Sequence, residues 1–229
     1  MIVILGAMEA EIKEFLNHMT NRVSEDWAGG TYYRGAIDGF PVIVARSGVG
    51  KVMAAMTSQF LIERFAPSNL IFTGLAGSLK ADIRIGDTIF ARDLIQHDLD
   101  CTVAGFPRGT IPYTDWRFIP ADPALLAIAM GYHPETGRVH QGRVCTGDQF
   151  ITHREMASHE YLHSELAGDA VEMEGAAVAL TCAIHRIPFL VARTISDMAD
   201  EGALVDFNSF LPIASRNSLA LVRYLLPLT

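Results

Sequence analysis

Long apolar runs are missing from this sequence. A membrane span needs roughly 20 consecutive apolar residues, and the longest candidate, LALVRYLLPL near the C-terminus, is interrupted by Arg223 and broken by Pro227. The opening MIVILGAMEAEI lacks the basic start of a secretory signal, and its apolar stretch is too short for one. Basic runs are missing too. The formal net charge is -8, which argues against nucleic acid and membrane surfaces as partners. Cysteine is scarce: Cys101, Cys145 and Cys182 stand apart, without CxxC or metal-ligand spacing, as expected of a protein kept in a reducing cytoplasm. Charged residues are 19% of the chain and hydrophobic ones 50%, a balance that excludes disorder. In 229 residues it fits one domain, 1–229, with apolar surface to spare for an oligomer interface.

What is present is an alternation of short Val/Ile-rich runs with longer helical patterns. IVILG (2–6) reads as a buried strand and 7–19 as a helix carrying Ile12, Phe15, Leu16 and Met19 on one face. Residues 31–48 read as a hairpin turning at Asp38-Gly39. Helices are expected over 50–65, 122–130 (after an N-capping Asp122), 155–166, the segment beginning at Glu174, and 208–226; strands over 69–74, 88–100, 138–147, 169–173 and 188–197. The alternation predicts an α/β fold with helices on both faces of the sheet.

Ligands of open α/β sheets gather at the C-terminal ends of strands, and the chemically interesting residues fall there. Glu9 and Glu11 follow the first strand; TGLAGS, TGDQF, VEMEG and ISDMAD follow or end later ones. SGVGK (47–51) is a glycine turn opening a helix but neither a Walker A loop nor G-x-G-x-x-G. A tight turn is its plainer reading, although a helix N-terminus also suits an anionic group. Glu172 and Glu174 are either paired site acids or acids at a solvated helix start. Arg193, Ser196, Asp197 and Asp200 end an otherwise apolar strand; Arg193 needs a carboxylate partner, for a site or for a structural ion pair. No G-x-S-x-G nucleophile elbow occurs.

HEYLH (159–163) matches H-E-x-x-H, in which two histidines on one helix face hold zinc and the glutamate between them acts as base. No later histidine stands at the spacing of a third ligand, and only a helical turn remains before Gly168. A solvated helix face is the plainer reading.

The series GAMEAEI, SGVGK, FTGLAG, IGD, HDLD, TGDQFI, VEMEGAAVA and RTISDMAD resembles the 5′-methylthioadenosine/S-adenosylhomocysteine nucleosidases of the nucleoside phosphorylase superfamily. The blocks run in family order along essentially the whole chain. The resemblance implies a three-layer α/β/α sandwich around a mixed, twisted central sheet, a homodimer, and hydrolysis of an N-ribosidic bond that releases adenine, with no cofactor and no metal. It implies Glu11 as general base for water and Asp197 as general acid towards the purine, oriented by Ser196. Asp197 would have to carry its proton near neutral pH. Glu174 would bind the ribose hydroxyls, with Glu172 and Met173 beside it and Arg193 near the water. Phe150 would stack on adenine and the Ile151 backbone would pair with its edge. Met8, Val49, Met173 and Phe207 would line the ribose and the apolar 5′-group. Cys101, Phe106 and Pro112 lie in the 101–112 segment, which would complete the pocket of a partner subunit.

Leu75 stands where many relatives carry serine, which leaves the 5′-preference open towards aminodeoxyfutalosine. The first loop offers carboxylates and no arginine, which favours water over the phosphate a phosphorylase would need. The alternatives are thus an aminodeoxyfutalosine nucleosidase, a nucleoside phosphorylase, a zinc peptidase built on HEYLH, and a silent nucleoside-binding module.

Overall fold

The structure is a computed structural model that describes residues 1–198 and 203–229, with the backbone alone described at 153–154 and 203–209. In chain order the elements are β1 (Ile2–Gly6), α1 (Glu9–His18), β2 (Thr20–Trp27), β3 (Gly30–Ile37), β4 (Phe40–Arg46), α2 (Lys51–Phe65), β5 (Asn69–Ser78), β6 (Thr88–Gln96), β7 (Ile119–Pro120), α3 (Pro123–Ala129), β8 (Val139–Thr146), α4 (His153–Met156), α5 (Tyr161–Ser164), β9 (Ala170–Glu172), α6 (Gly175–His185), β10 (Phe189–Asp197) and α7 (Ala203–Leu225).

All the strands join one mixed sheet. From the β2 edge it runs β3, β4, β1, β5, with β1 parallel to both β4 and β5. Beyond β5 it closes on itself, because β5 pairs with β10 and β9, β10 with β6, β6 with β8, and β8 with β9. β5 can serve both regions because it is ten residues long. It extends past the expected 74, so TGLAGS lies within the strand rather than after it.

β1 is buried along its whole length because its alternating side chains enter two cores. Val3 and Leu5 pack with Leu61, Val178 and Cys182 on the α2/α6 face, and Ile2 and Ile4 pack with Phe15, Leu219 and Val222 on the α1/α7 face. This is the expected α/β/α layering. Asp38 and Gly39 both take positive φ in the β3–β4 turn, as a two-residue hairpin requires. Asp122 caps α3 by accepting from the Ala124 and Leu125 amides.

The helix expected over 155–166 is broken. Thr152 and Glu155 form a capping box that starts α4. The Glu155 carbonyl is then taken by the Ser158 hydroxyl and by His159 Nδ1, side-chain bonds that compete with helix continuation. The chain restarts at α5, so His159 lies in a turn and His163 on the next helix. No helix among the described residues is long and apolar enough to cross a membrane.

Candidate active site

β1 delivers the chain into a short turn, and α1 starts with Met8 as its cap. Glu11, in the first turn of α1, folds back so that Oε2 accepts from the Met8 amide at 2.9 Å. Its Oε1 accepts from the Leu75 amide of β5 at 3.1 Å. The residue is buried, whereas Glu9 is exposed. Burial pushes the Glu11 carboxyl above the ordinary carboxylate range; the charge of Arg193 and the amides of Met8, Leu75 and Ala7 offset part of that rise. Gly74 makes room for this arrangement. A Cβ there would sit 2.7 Å from Glu11 Oε1 and 3.5 Å from Arg193 Nη1.

Glu172 ends β9 and turns into the start of α6. Its carboxylate accepts from the amides of Glu174 (3.1 Å) and Gly175 (2.7 Å), from the Thr146 hydroxyl, and from Arg193 Nη2 at 2.7 Å. Thr146 Oγ1 in turn accepts from the Ala176 amide. The helix start and a buried cation thus stabilise one carboxylate. Glu174 Oε1 accepts from the Gly50 amide at 2.8 Å. Burial, and then the neighbouring Glu172, push the Glu174 carboxyl up to about 8. The helix start opened by SGVGK therefore receives the protein's own carboxylates, because Asp148 Oδ1 also accepts from the Lys51 amide.

On β10 the pairing with β5 slips between Ile195 and Asp197. Such a bulge re-aims side chains, and here both Ser196 and Asp197 are buried yet line the cleft. The Ser196 hydroxyl donates to Asp197 Oδ2 at 2.7 Å.

The TGDQF segment after β8 carries Phe150, partly exposed over the cleft, with Ile151 beneath it. Two devices fix this segment. The Asp148 amide donates to Asp98 Oδ2 at 2.9 Å, while Lys51 Nζ lies 2.5 Å from Asp98 and 3.7 Å from Asp148. Behind Gly147 lies the fully buried ring of His97, in the space a Cβ would need. His97 Nδ1 is 3.0 Å from the Tyr161 hydroxyl, and burial pushes its pKa down to about 4, so it is neutral at neutral pH.

These groups surround one cleft that is open at its mouth. Met8, Glu11, Val49, Leu75, Phe150, Ile151, Glu172, Met173, Glu174, Ser196 and Asp197 all line it. Ala7, Ala76, Gly77, Gln149 and Val171 line it as well. Arg193 lies one layer back from these residues. It is buried behind Glu172, with its guanidinium over the Phe72 ring and Nη1 donating to the Phe72 and Ala192 carbonyls, and it is not part of the wall. Cys101, Phe106 and Pro112 do not line this chain's own cleft. The Phe207 side chain and Asp200 lie outside the described residues.

Among the described residues no three His, Cys, Asp or Glu side chains are grouped to hold a metal ion. Sequence reasoning missed Thr146, Gly74 and the Lys51–Asp98–Asp148 cluster. The blocks TGDQF, FTGLAG, SGVGK and HDLD contained them, but short-range spacing does not show that Asp98 reaches Lys51 and Asp148.

The phosphorylase superfamily model matches residues 1–227. A 5′-methylthioadenosine/S-adenosylhomocysteine nucleosidase of Exiguobacterium is 37% identical over 222 residues, covering 96% of this chain and 94% of that one. The nucleosidase of the same description from Neisseria meningitidis, solved with methylthio-immucillin-A, superposes with a TM-score of 0.92 at 33% identity, covering 100% and 99% of the two chains. The futalosine hydrolase of Helicobacter pylori superposes with a TM-score of 0.91 at 34% identity, covering 100% and 97%.

Proposed function

The chain belongs to the phosphorylase superfamily, and from that premise we propose that it is a nucleosidase that hydrolyses the N-ribosidic bond of 5′-methylthioadenosine, S-adenosylhomocysteine and related 5′-substituted adenosines, releasing adenine. One observation carries the reading. The described residues lining the cleft include Glu11, Glu172, Glu174 and Asp197 but no lysine or arginine. A phosphate dianion would meet acidic groups and no cation there, whereas a water nucleophile suits a carboxylate base.

Glu11 takes the proton of the attacking water. Its raised pKa makes it a stronger base than an ordinary carboxylate. Glu174, held at one oxygen by Gly50, binds the ribose hydroxyls, and the carboxylates stabilise positive charge as the ribosyl group becomes oxocarbenium-like. Phe150 stacks on the base. Asp197, fixed at one oxygen by Ser196, protonates the leaving purine. Arg193 acts from behind, holding Glu172 and lowering the energy of the Glu11 carboxylate.

The test is a nucleoside panel, with and without phosphate, read by free base or sugar phosphate. Adenine release independent of phosphate is expected, with Glu11→Gln and Asp197→Asn each slower by roughly 100-fold. Wild-type rates in both variants, or phosphate-dependent release of a sugar phosphate, overturn the reading. Leu75 is apolar and part of the cleft wall, which favours a broad 5′-tolerance; a preference for aminodeoxyfutalosine in the panel would place the enzyme in that narrower class.

We also propose that the chain works as one domain and as a cytoplasmic homodimer. Val103 and Tyr113 are almost fully exposed around the 101–112 segment, and Val52, Met56 and Ile184 are exposed on α2 and α6. Apolar surface of this kind suits a partner subunit, with Cys101, Phe106 and Pro112 reaching its pocket. Light scattering on the purified protein should give twice the chain mass; a monomer would overturn the assembly.

A further inference from the structure

Arg193 has one donor that the rest of the site leaves without a partner. Nη1 and Nη2 are bonded, but Nε is buried and has no hydrogen-bonding partner among the described residues. Another buried donor in the same condition is Asn217 Nδ2, on α7. Arg193 and Asn217 line the same small cavity, together with Thr88, Thr194 and Ser218. An arginine Nε–H and an amide NH2 can only donate, so neither satisfies the other. A buried donor left unpaired is destabilising.

We infer that Arg193 and Asn217 share one buried water molecule, and that Asn217 is thereby a positioning residue for the site. The water oxygen accepts from Arg193 Nε–H and from Asn217 Nδ2–H, which uses both of its lone pairs. Its two hydrogens face a lining to which Thr88, Thr194 and Ser218 contribute. The cavity has room for about one water. An anion is disfavoured because Glu172 already neutralises Arg193 at 2.7 Å. The consequence reaches the reacting groups. The guanidinium is held at its bonded end by Glu172 and two carbonyls, and at Nε by the water and α7. Its charge opposes the burial that raises the Glu11 carboxyl. The titratable and charged groups facing Glu11 are the Arg193 guanidinium from β10 and the Glu174 carboxyl at the start of α6, so a displaced Arg193 leaves Glu11 harder to ionise.

The inference rests on the reading of Glu11 as the base, and two measurements separate the two ideas. A high-resolution crystal structure of the wild-type protein should show a water within hydrogen-bonding distance of Arg193 Nε and Asn217 Nδ2, whatever the substrate proves to be. An empty cavity, or Nε bonded to a protein atom, overturns the water. The pH profile of kcat/KM for adenine release then tests positioning. Asn217→Leu keeps the branched shape and removes the donor, and should move the acid limb to higher pH, with about a tenfold loss on the acid side. Asn217→Ala leaves space for a second water in place of the amide and should keep a near wild-type profile. A folded Asn217→Leu enzyme with the wild-type profile overturns the positioning role, as does an Asn217→Ala profile displaced equally. Wild-type protein that releases no adenine overturns the reading of the base and the positioning role with it, while the crystallographic result for the water stands by itself.

Discussion

Arg193 Nη2 lies 2.7 Å from Glu172 Oε2, with both side chains almost completely shielded from water. The pair stands behind the cleft wall and joins β10 to the start of α6. Because Glu172 also accepts from two α6 amides and the Thr146 hydroxyl, removing Arg193 strands a carboxylate while removing Glu172 strands a cation and a helix start. Breaking one side of a buried pair costs about 3–5 kcal/mol. Arg193→Met should therefore lower Tm by about 10 °C. Replacing both residues by leucine should recover part of that loss. Calorimetry checks both, and an unchanged Tm in Arg193→Met would show that the pair is not a stabilising unit.

Glu174 links stability to pH in the direction opposite to an ordinary salt-bridged carboxylate. Burial, and next the neighbouring Glu172, raise its folded pKa from 4.5 to about 8. Between those values the folded state holds a proton that the unfolded state has released, so stability falls as pH rises. The contribution is full below 4.5 and lost as pH passes through about 8. Glu174→Gln keeps an oxygen to accept from Gly50 and removes the charge. It should be more stable than wild type near pH 8.5, with the difference shrinking towards pH 5, while adenine release falls. Melting curves at the two pH values decide it; a variant less stable than wild type at the higher pH contradicts the argument.

Gly74 occupies the space between the base and the cation behind it. Alanine there would place a methyl 2.7 Å from Glu11 Oε1, an oxygen already tied to the Leu75 amide. The carboxylate must move, and small displacements of a reacting group are costly. Gly74→Ala should lose roughly tenfold to 100-fold in kcat while remaining folded by circular dichroism. Wild-type turnover in that variant would mean that Glu11 works from another position.

Much of this was legible in the sequence because it is local. The unbroken apolar run IVILG specifies a strand buried on both faces, Asp38-Gly39 specifies a hairpin, and acids at strand ends mark the cleft. What was not legible depends on contacts distant in sequence. The closure of β5, β10, β6, β8 and β9 on one another comes from pairings that no periodicity encodes. Arg193 was visible as an oddity in an apolar strand, but not its place behind Glu172 rather than on the wall. The break after Met156 escaped because it is made by side chains of Ser158 and His159 capturing the Glu155 carbonyl, in a stretch whose apolar spacing still suits a continuous helix.

That break removes the premise of HEYLH as a metal motif, since two histidines need a shared helix face to act together. Glu160 and His163 are exposed, whereas Tyr161 reaches the buried His97 ring that supports Gly147 from behind. The functional weight of the segment thus falls on its central tyrosine and not on its three metal-type residues. Gly147→Ala would push against a ring that Tyr161 holds, displacing the segment that presents Phe150. It should raise KM for methylthioadenosine about tenfold with kcat changed much less, because stacking on a base is worth about 1–3 kcal/mol. Glu160→Ala and His163→Ala should leave both constants unchanged, and a chelator should leave activity intact. Loss of turnover in Glu160→Ala, together with zinc at one per chain, would return the motif to the chemistry and displace Glu11 as the base.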